Sequence, residues 1–189
     1  MNPSELSDEQ VVSIVREKNK EMYTEIIGRY QGKLSHYLRK FIHDNDELED
    51  VLQGVFIKAY ENLYGFDTKR KFSSWIYRIS HNEAVNHIKK YSKISVSVDE
   101  VESLLEDEKV NLPNGVDQSI LKEEVEKALT EMKEKYREAL ILYFFEQKSY
   151  DEMSEILRVP VNTVGTLIAR GKKNLKIILE KYGTTATHN

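Results

Sequence analysis

Cysteine is absent from this chain of 189 residues. That excludes disulfides, thiolate zinc sites and cysteine nucleophiles. A thiol-based redox sensor within the chain is excluded as well. No apolar run approaches the roughly 18 residues of a membrane-spanning helix. The opening Met1-Asn2-Pro3-Ser4-Glu5 lacks the basic-then-apolar pattern of a signal peptide, so a cytoplasmic location is expected. No glycine-rich, phosphate-cradling loop occurs. His36 and His43, or His81 and His87, are not at metal-site spacing with carboxylates. No carboxylate pair has a sheltered setting for acid–base work. Catalysis by this chain, a metal and a cofactor are all unexpected. No strand pattern exceeds Val96–Val98, so the expected fold class is all-α.

The charges are unevenly distributed. The total is −4, which by itself argues weakly against a nucleic-acid partner. From Lys69 to Lys93, seven basic residues stand against Glu83 alone, or +6. From Asp99 to Glu126, ten acids face Lys109 and Lys122, or −8. From Arg158 to Lys181, six basic residues face Glu180, or +5. A short knot from Asp44 to Asp50 carries −5. Two basic blocks flank an acidic one, and this asymmetry is more informative than the sum. Solvated helix faces are the plain alternative.

Helical signals run along both ends of the chain. Ser7-x-x-Gln10 is a capping-box pattern ahead of Val11, Ile14 and Val15. Met22, Tyr23, Ile26, Ile27, Tyr30, Leu34, Tyr37, Leu38, Phe41 and Ile42 recur at helical spacing until His43–Asp46 breaks the pattern. A helix is expected from about Asp46 to Tyr64, and Gly65–Thr68 reads as a turn. Ser73 or Ser74 can then cap a helix carrying Trp75, Ile76, Ile79, Val85 and Ile88. Residues 94–117 lose periodicity, and Leu112-Pro113-Asn114-Gly115 reads as a turn. A structureless stretch of that length fits a linker better than an internal loop. The expected organisation is a helical domain over 1–93, a flexible acidic linker over 94–117, a second helical domain over 118–182 and a disordered tail over 183–189.

In the second domain, Leu121, Val125, Leu129 and Met132 mark one helix. Tyr136, Leu140, Tyr143 and Phe144 mark another, and two short helices follow. The first of these is Ser149–Leu157, with a tight turn at Arg158-Val159 and Pro160 suited to a helix start. The second buries Val164, Leu167, Ile168, Gly171, Leu175, Ile178 and Leu179. At 100° per residue this leaves Asn162, Thr163, Gly165, Thr166, Ala169, Arg170, Lys173 and Lys176 outside. Small polar residues at the leading end suit the major groove, and cations further along suit phosphates. An ordinary helical hairpin with solvated cations is the alternative.

Lys135-Tyr136-Arg137-Glu138, Ser149-Tyr150-Asp151-Glu152-Met153 and Pro160-Val161-Asn162-Thr163-Val164 together resemble region 4 of extracytoplasmic-function sigma factors. The resemblance implies a helix-turn-helix that reads the −35 promoter element through Asn162, Thr163, Gly165, Thr166, Arg170, Lys172 and Lys173. The family often has Lys, Ser and Arg where this chain has Gly165, Thr166 and Leu167, so two frequent basic contacts are missing. Lys133 stands where Pro is usual.

The first domain carries a matching set. Glu49-Asp50-Val51-Leu52-Gln53-Gly54-Val55-Phe56 resembles the family's region 2.2, with Gly54 in place of the usual Glu. On a helical wheel, Ile57 falls outside the apolar arc, beside Asp50 and Gln53. The resemblance implies that Asp50, Gln53 and Ile57 dock on the coiled coil of the largest core RNA polymerase subunit, β′. Phe72-Ser73-Ser74-Trp75-Ile76-Tyr77-Arg78-Ile79 with Asn82 and Asn86 resembles regions 2.3 and 2.4. There the family implies an extruded −10 base in a pocket lined by Phe66, Ser74 and Asn82, with Asn86 one turn on. Lys69, Arg70, Lys71, Arg78, Lys89 and Lys90 would attract phosphates. Core packing is the alternative for Trp75, Tyr64 and Phe72.

The resemblance spans Met22 to about Leu179 and implies a sigma region 2 bundle tethered to a sigma region 4 helix-turn-helix. Such a protein would bind core polymerase (β′ and β subunits), recognise −35 and −10 elements and help melt DNA. An anti-sigma partner would hold it inactive. Two other readings stay open: a stand-alone helix-turn-helix regulator, and a sigma-like decoy or interaction module without initiation activity.

Overall fold

A computed structural model describes residues 5–91, 125 and 127–186. The expected linker, 94–117, and the expected helix start near Gln118 with Leu121 lie outside the described residues. All regular structure among the described residues is helical. Two compact units divide the chain: Met1–Lys93 with Asp151–Val159, and Ile94–Tyr150 with Pro160–Asn189.

The first unit opens with α1, Asp8–Glu17, whose start is set locally. The Ser7 hydroxyl accepts from the Gln10 backbone N–H at 3.2 Å, and the Ser7 N–H donates to Gln10 Oε1 at 2.8 Å. This reciprocal cap satisfies two N–H groups that the helix cannot. Val11 and Val12 are fully buried. A 3-10 turn, Lys20–Met22, leads into α2, Tyr23–Leu38, which buries Tyr23, Ile26, Tyr30, Leu34, Tyr37 and Leu38. Regular helix ends at Leu38, and the chain turns through Phe41 and Ile42, which stays buried. Asp44 then caps α3, Asn45–Glu61, by accepting from the Glu47 N–H at 3.0 Å. A 3-10 turn, Leu63–Gly65, ends this segment.

Helix α4 spans Phe72–Tyr91. Neither Ser73 nor Ser74 caps it, contrary to the sequence expectation, because both lie inside its first turn. The Phe72 N–H donates instead to Glu9 Oε1 at 2.9 Å. A carboxylate from α1 thus takes the place of a local cap, at a helix end where negative charge is favoured.

In the second unit, helical residues 127–131 precede α5, Glu134–Leu140. A π-helical turn, Ile141–Phe145, extends α5. Its wider hydrogen bonding runs from the Glu146 N–H to the Ile141 carbonyl at 3.1 Å. The extra residue slips the helical register. Ile141 and Leu142 are fully buried, whereas Phe144, expected on the apolar face, is 50% exposed.

Helix α6 spans Tyr150–Leu157, and α7 runs over Val161–Ala186. The second helix is therefore long, not short, and passes Gly183, where a frayed tail was expected. Along α7, Val164, Ile168, Gly171 and Ile178 are buried, while Leu167, Leu175 and Leu179 are half-buried. At the α6–α7 turn, Arg158 adopts φ 56°, and the Val159 N–H reaches back to the Ser154 carbonyl at 3.3 Å. This is a Schellman closure, whose left-handed residue is usually Gly. A side chain there costs about 1–2 kcal/mol. Arg158→Gly should therefore raise stability by about 0.5–1 kcal/mol, the remainder being offset by the freer unfolded chain. Urea unfolding of the full chain followed by circular dichroism checks this; an unchanged or lower midpoint refutes it.

Candidate nucleic-acid interface

The first surface is built around α4 and the loop before it. Phe66, Phe72 and Trp75 pack as a trio, with ring centroids 5.2–5.4 Å apart. Tyr30 meets Phe72 edge-on at 5.6 Å. Arg16, which no local pattern singles out, holds this loop. Its Nε donates to the Leu63 carbonyl at 2.8 Å, and its Nη2 donates to the Leu63 and Phe66 carbonyls. These partners lie 47 to 50 residues away, beyond any local signal.

Phe66 is consequently only 4% exposed. It is core in this structure and presents no free face to a base, which differs from the sequence expectation. Trp75 is half-buried and Phe72 fully buried. Tyr64, for which core packing was the alternative, is 68% exposed. Ser74 is 2% exposed, and its Oγ has no hydrogen-bond partner among the described residues. Such an orphan hydroxyl is costly unless a ligand or water satisfies it.

Asn82 and Asn86 are exposed on one face of α4, four residues apart. Lys69, Arg70, Lys71, Lys89 and Lys90 are also exposed, and Arg78 is half-buried. Burial holds the Arg78 guanidinium below its ordinary pKa range. Beneath this face, His81 is buried and its Nδ1 lies 3.1 Å from the Tyr37 hydroxyl. Burial pushes its imidazole down to about 4, with a smaller contribution from Lys89. His81 is therefore a neutral core residue near pH 7.

The outer face of α3 carries Asp50 and Gln53, both exposed, and Ile57, which is 58% exposed. Gly54 is half-buried between them. The apolar arc read from the sequence packs inward at Leu52, Val55, Phe56, Ala59 and Leu63.

In the second unit, Asn162, Thr166, Ala169 and Arg170 of α7 are exposed, while Thr163, Gly165 and Lys173 are half-buried. Lys172 lies on the flank. Its Nζ sits 5.2 Å over the Phe144 ring and 5.9 Å over Tyr143. Cation–π attraction thus draws it towards an aromatic flank. Among the described residues, no group of three His, Cys, Asp or Glu residues could hold a metal ion. No described helix is long and apolar enough to cross a membrane.

Known families match both ends of the chain. The Sigma-70 region 2 family matches residues 26–94, and the Sigma-70 region 4 family matches residues 122–175. The ECF RNA polymerase sigma factor SigW of Bacillus subtilis is 31% identical over 179 residues, covering 86% of this chain and 91% of SigW. The RNA polymerase sigma-H factor of Pseudomonas aeruginosa is 29% identical over 181 residues, covering 92% of this chain and 94% of that protein. Among solved structures, CnrH in complex with the cytosolic domain of CnrY aligns with a TM-score of 0.69 at 20% identity, over 92% of this chain and 97% of CnrH. The sigma factor RpoE of Bartonella quintana, in complex with the anti-sigma factor NepR, gives 0.61 at 19%, over 84% and 96%. These two show a shared fold.

The chain belongs to the extracytoplasmic-function sigma factors of the sigma-70 family. It is a transcription initiation factor that binds core RNA polymerase and promoter DNA, and not an enzyme.

Proposed function

We propose that residues 1–93 dock on the β′ coiled coil of core polymerase through Asp50, Gln53 and Ile57, and read and melt the −10 element through α4. Asn82 and Asn86 recognise an extruded base, and Ser74, buried like Phe66, takes part only from beneath. The cations Lys69, Arg70, Lys71, Arg78, Lys89 and Lys90 hold the strand. Residues 118–182 engage the β subunit and read the −35 duplex through Asn162, Thr163, Gly165, Thr166, Arg170 and Lys173. Residues 94–117 form the acidic tether between these domains, passing through the basic channel of the core. The protein works in the cytoplasm under an anti-sigma factor, the partner class seen with the Bartonella quintana protein of similar fold.

The observation that carries the −10 assignment is that α4 exposes Asn82 and Asn86 on one face, close in sequence to the exposed Lys89 and Lys90. Extrusion costs a base its stacking and pairing, a few kcal/mol that hydrogen bonds to its edge help recover. Phe66 takes part by shaping this surface from beneath.

Purified core polymerase with this chain on a promoter library tests the whole reading. New transcripts that depend on both elements are expected, and no open complex on any template would overturn it. Asn82→Ala should shift preference within the −10 element by about tenfold, equivalent to about 1.4 kcal/mol, with core binding unchanged. Equal use of all −10 variants by both proteins would refute the role of Asn82. The decoy reading draws on Gly165, Thr166 and Leu167, which bring no cation, and on the flank position of Lys172. In the same assay a decoy binds core and starts no transcript.

A further inference from the structure

Asp50, Gln53, Ile57, Tyr60 and Tyr64 follow one another at steps of three, four, three and four, and all five are exposed. On a helix the first four fall within an arc of about 80°. The 3-10 turn after α3 carries Tyr64 beyond Tyr60. Between them, Phe56 and Leu63 point inward and are buried. Ile57 is 58% exposed, Tyr60 39% and Tyr64 68%, so large apolar side chains face solvent in sequence along one stripe.

Both tyrosines are held. The Tyr60 ring meets Tyr23 edge-on at 5.0 Å, and the Tyr23 hydroxyl donates to the Phe56 carbonyl at 2.7 Å. The Tyr64 hydroxyl donates to the Arg16 carbonyl at 3.1 Å. The Tyr60 ring thus leans on the start of α2, and Tyr64 is tied to the end of α1. Ring surface ordered in advance loses little entropy on binding.

We propose that the core-docking surface continues from Asp50, Gln53 and Ile57 onto Tyr60 and Tyr64, which form its apolar half. The occupant is the helical coiled coil of the core enzyme. Its basic residues face Asp46 and Asp50, and its aliphatic residues face Ile57 and the two rings. A three–four spacing is the repeat with which helices in coiled coils meet. Continuity with the docking residues and the acidic-to-apolar gradient along the stripe select this partner. The inference rests on the docking assignment of Asp50, Gln53 and Ile57, and it adds the aromatic half.

The test is binding of labelled full-length chain to purified core polymerase, with Trp75 fluorescence melting to verify the fold of each variant. Tyr64→Ala should weaken core binding about tenfold, as truncating an aromatic anchor does. Tyr64→Phe, which keeps the ring, should stay within about threefold of wild type. Wild-type affinity of Tyr64→Ala, with Ile57→Ala weakened, would overturn the aromatic half and leave the docking assignment standing. Wild-type affinity of both alanine variants would overturn both. Equal loss in Tyr64→Phe and Tyr64→Ala would also overturn the proposal, because the ring would then contribute nothing.

Discussion

Lowering the pH from 7.5 to 4 should remove about 3 kcal/mol of stability from the first unit through His81 alone. The imidazole is 8% exposed, and burial holds its pKa down to about 4 against an ordinary 6.5. Below about pH 6.5 the unfolded chain binds a proton at His81 that the folded chain refuses until about pH 4. The unfolded state therefore holds more protons in that window, and stability falls as pH falls through it. Over that window the difference in proton binding amounts to about 3 kcal/mol. Urea unfolding followed by Trp75 fluorescence reports this unit, since Trp75 is the chain's single tryptophan. His81→Gln can still pair with the Tyr37 hydroxyl but cannot titrate, so its stability should fall less steeply over the same range. Parallel pH profiles for wild type and variant would refute the assignment.

Gly171→Val should destabilise the second unit by about 3 kcal/mol, at the upper end of what overpacking a filled core costs. A Cβ built on Gly171 would lie 3.0 Å from Leu140 Cγ, 3.1 Å from Leu140 Cδ2 and 3.3 Å from the Tyr136 carbonyl oxygen. Leu140 is 1% exposed and has little room to retreat. Gly171 is therefore a place where α7 packs tightly against α5. Gly165, on the same helix, has the opposite character. Its Cβ would meet only Tyr150 Cε2, at an ordinary 3.5 Å. Gly165→Ala should thus stabilise by about 1 kcal/mol through helix propensity alone. Denaturant unfolding by circular dichroism distinguishes the two glycines. Adding Leu140→Ala to Gly171→Val should recover part of the loss relative to additivity, because the two sites compete for one space. Strict additivity would place the strain elsewhere.

The two glycines show how much of this protein was legible beforehand. Helical spacing placed Gly171 on the buried face of α7 and Gly165 on its outer side; Gly171 is buried, whereas Gly165 is half-buried. The spacing held no information about which buried glycine touched a neighbouring backbone. At the candidate site the same divide runs through Asn82 and Phe66. Asn82 was legible as an exposed polar residue on a helix, a property of one turn. Phe66 was read as a pocket wall, and its burial follows from Phe72, Trp75 and the carbonyl clamp of Arg16. For Lys172 the family resemblance implies a contact to the −35 DNA. Its position over Phe144 depends on a π-helical turn that no propensity signals.

Sequence by itself determined the helical class, the capping box at Ser7, the existence of a break ahead of α3 and the two basic blocks. All of these arise from interactions within a few residues, or from charge summed along a segment. Only the tertiary structure decided that Glu9 caps α4, that Arg16 fastens the Phe66 loop, that His81 stays neutral and that Tyr60 and Tyr64 extend the exposed stripe of α3. Each depends on side chains brought together across tens of residues. Their hydrogen bonds and desolvation exist only once the helices have packed.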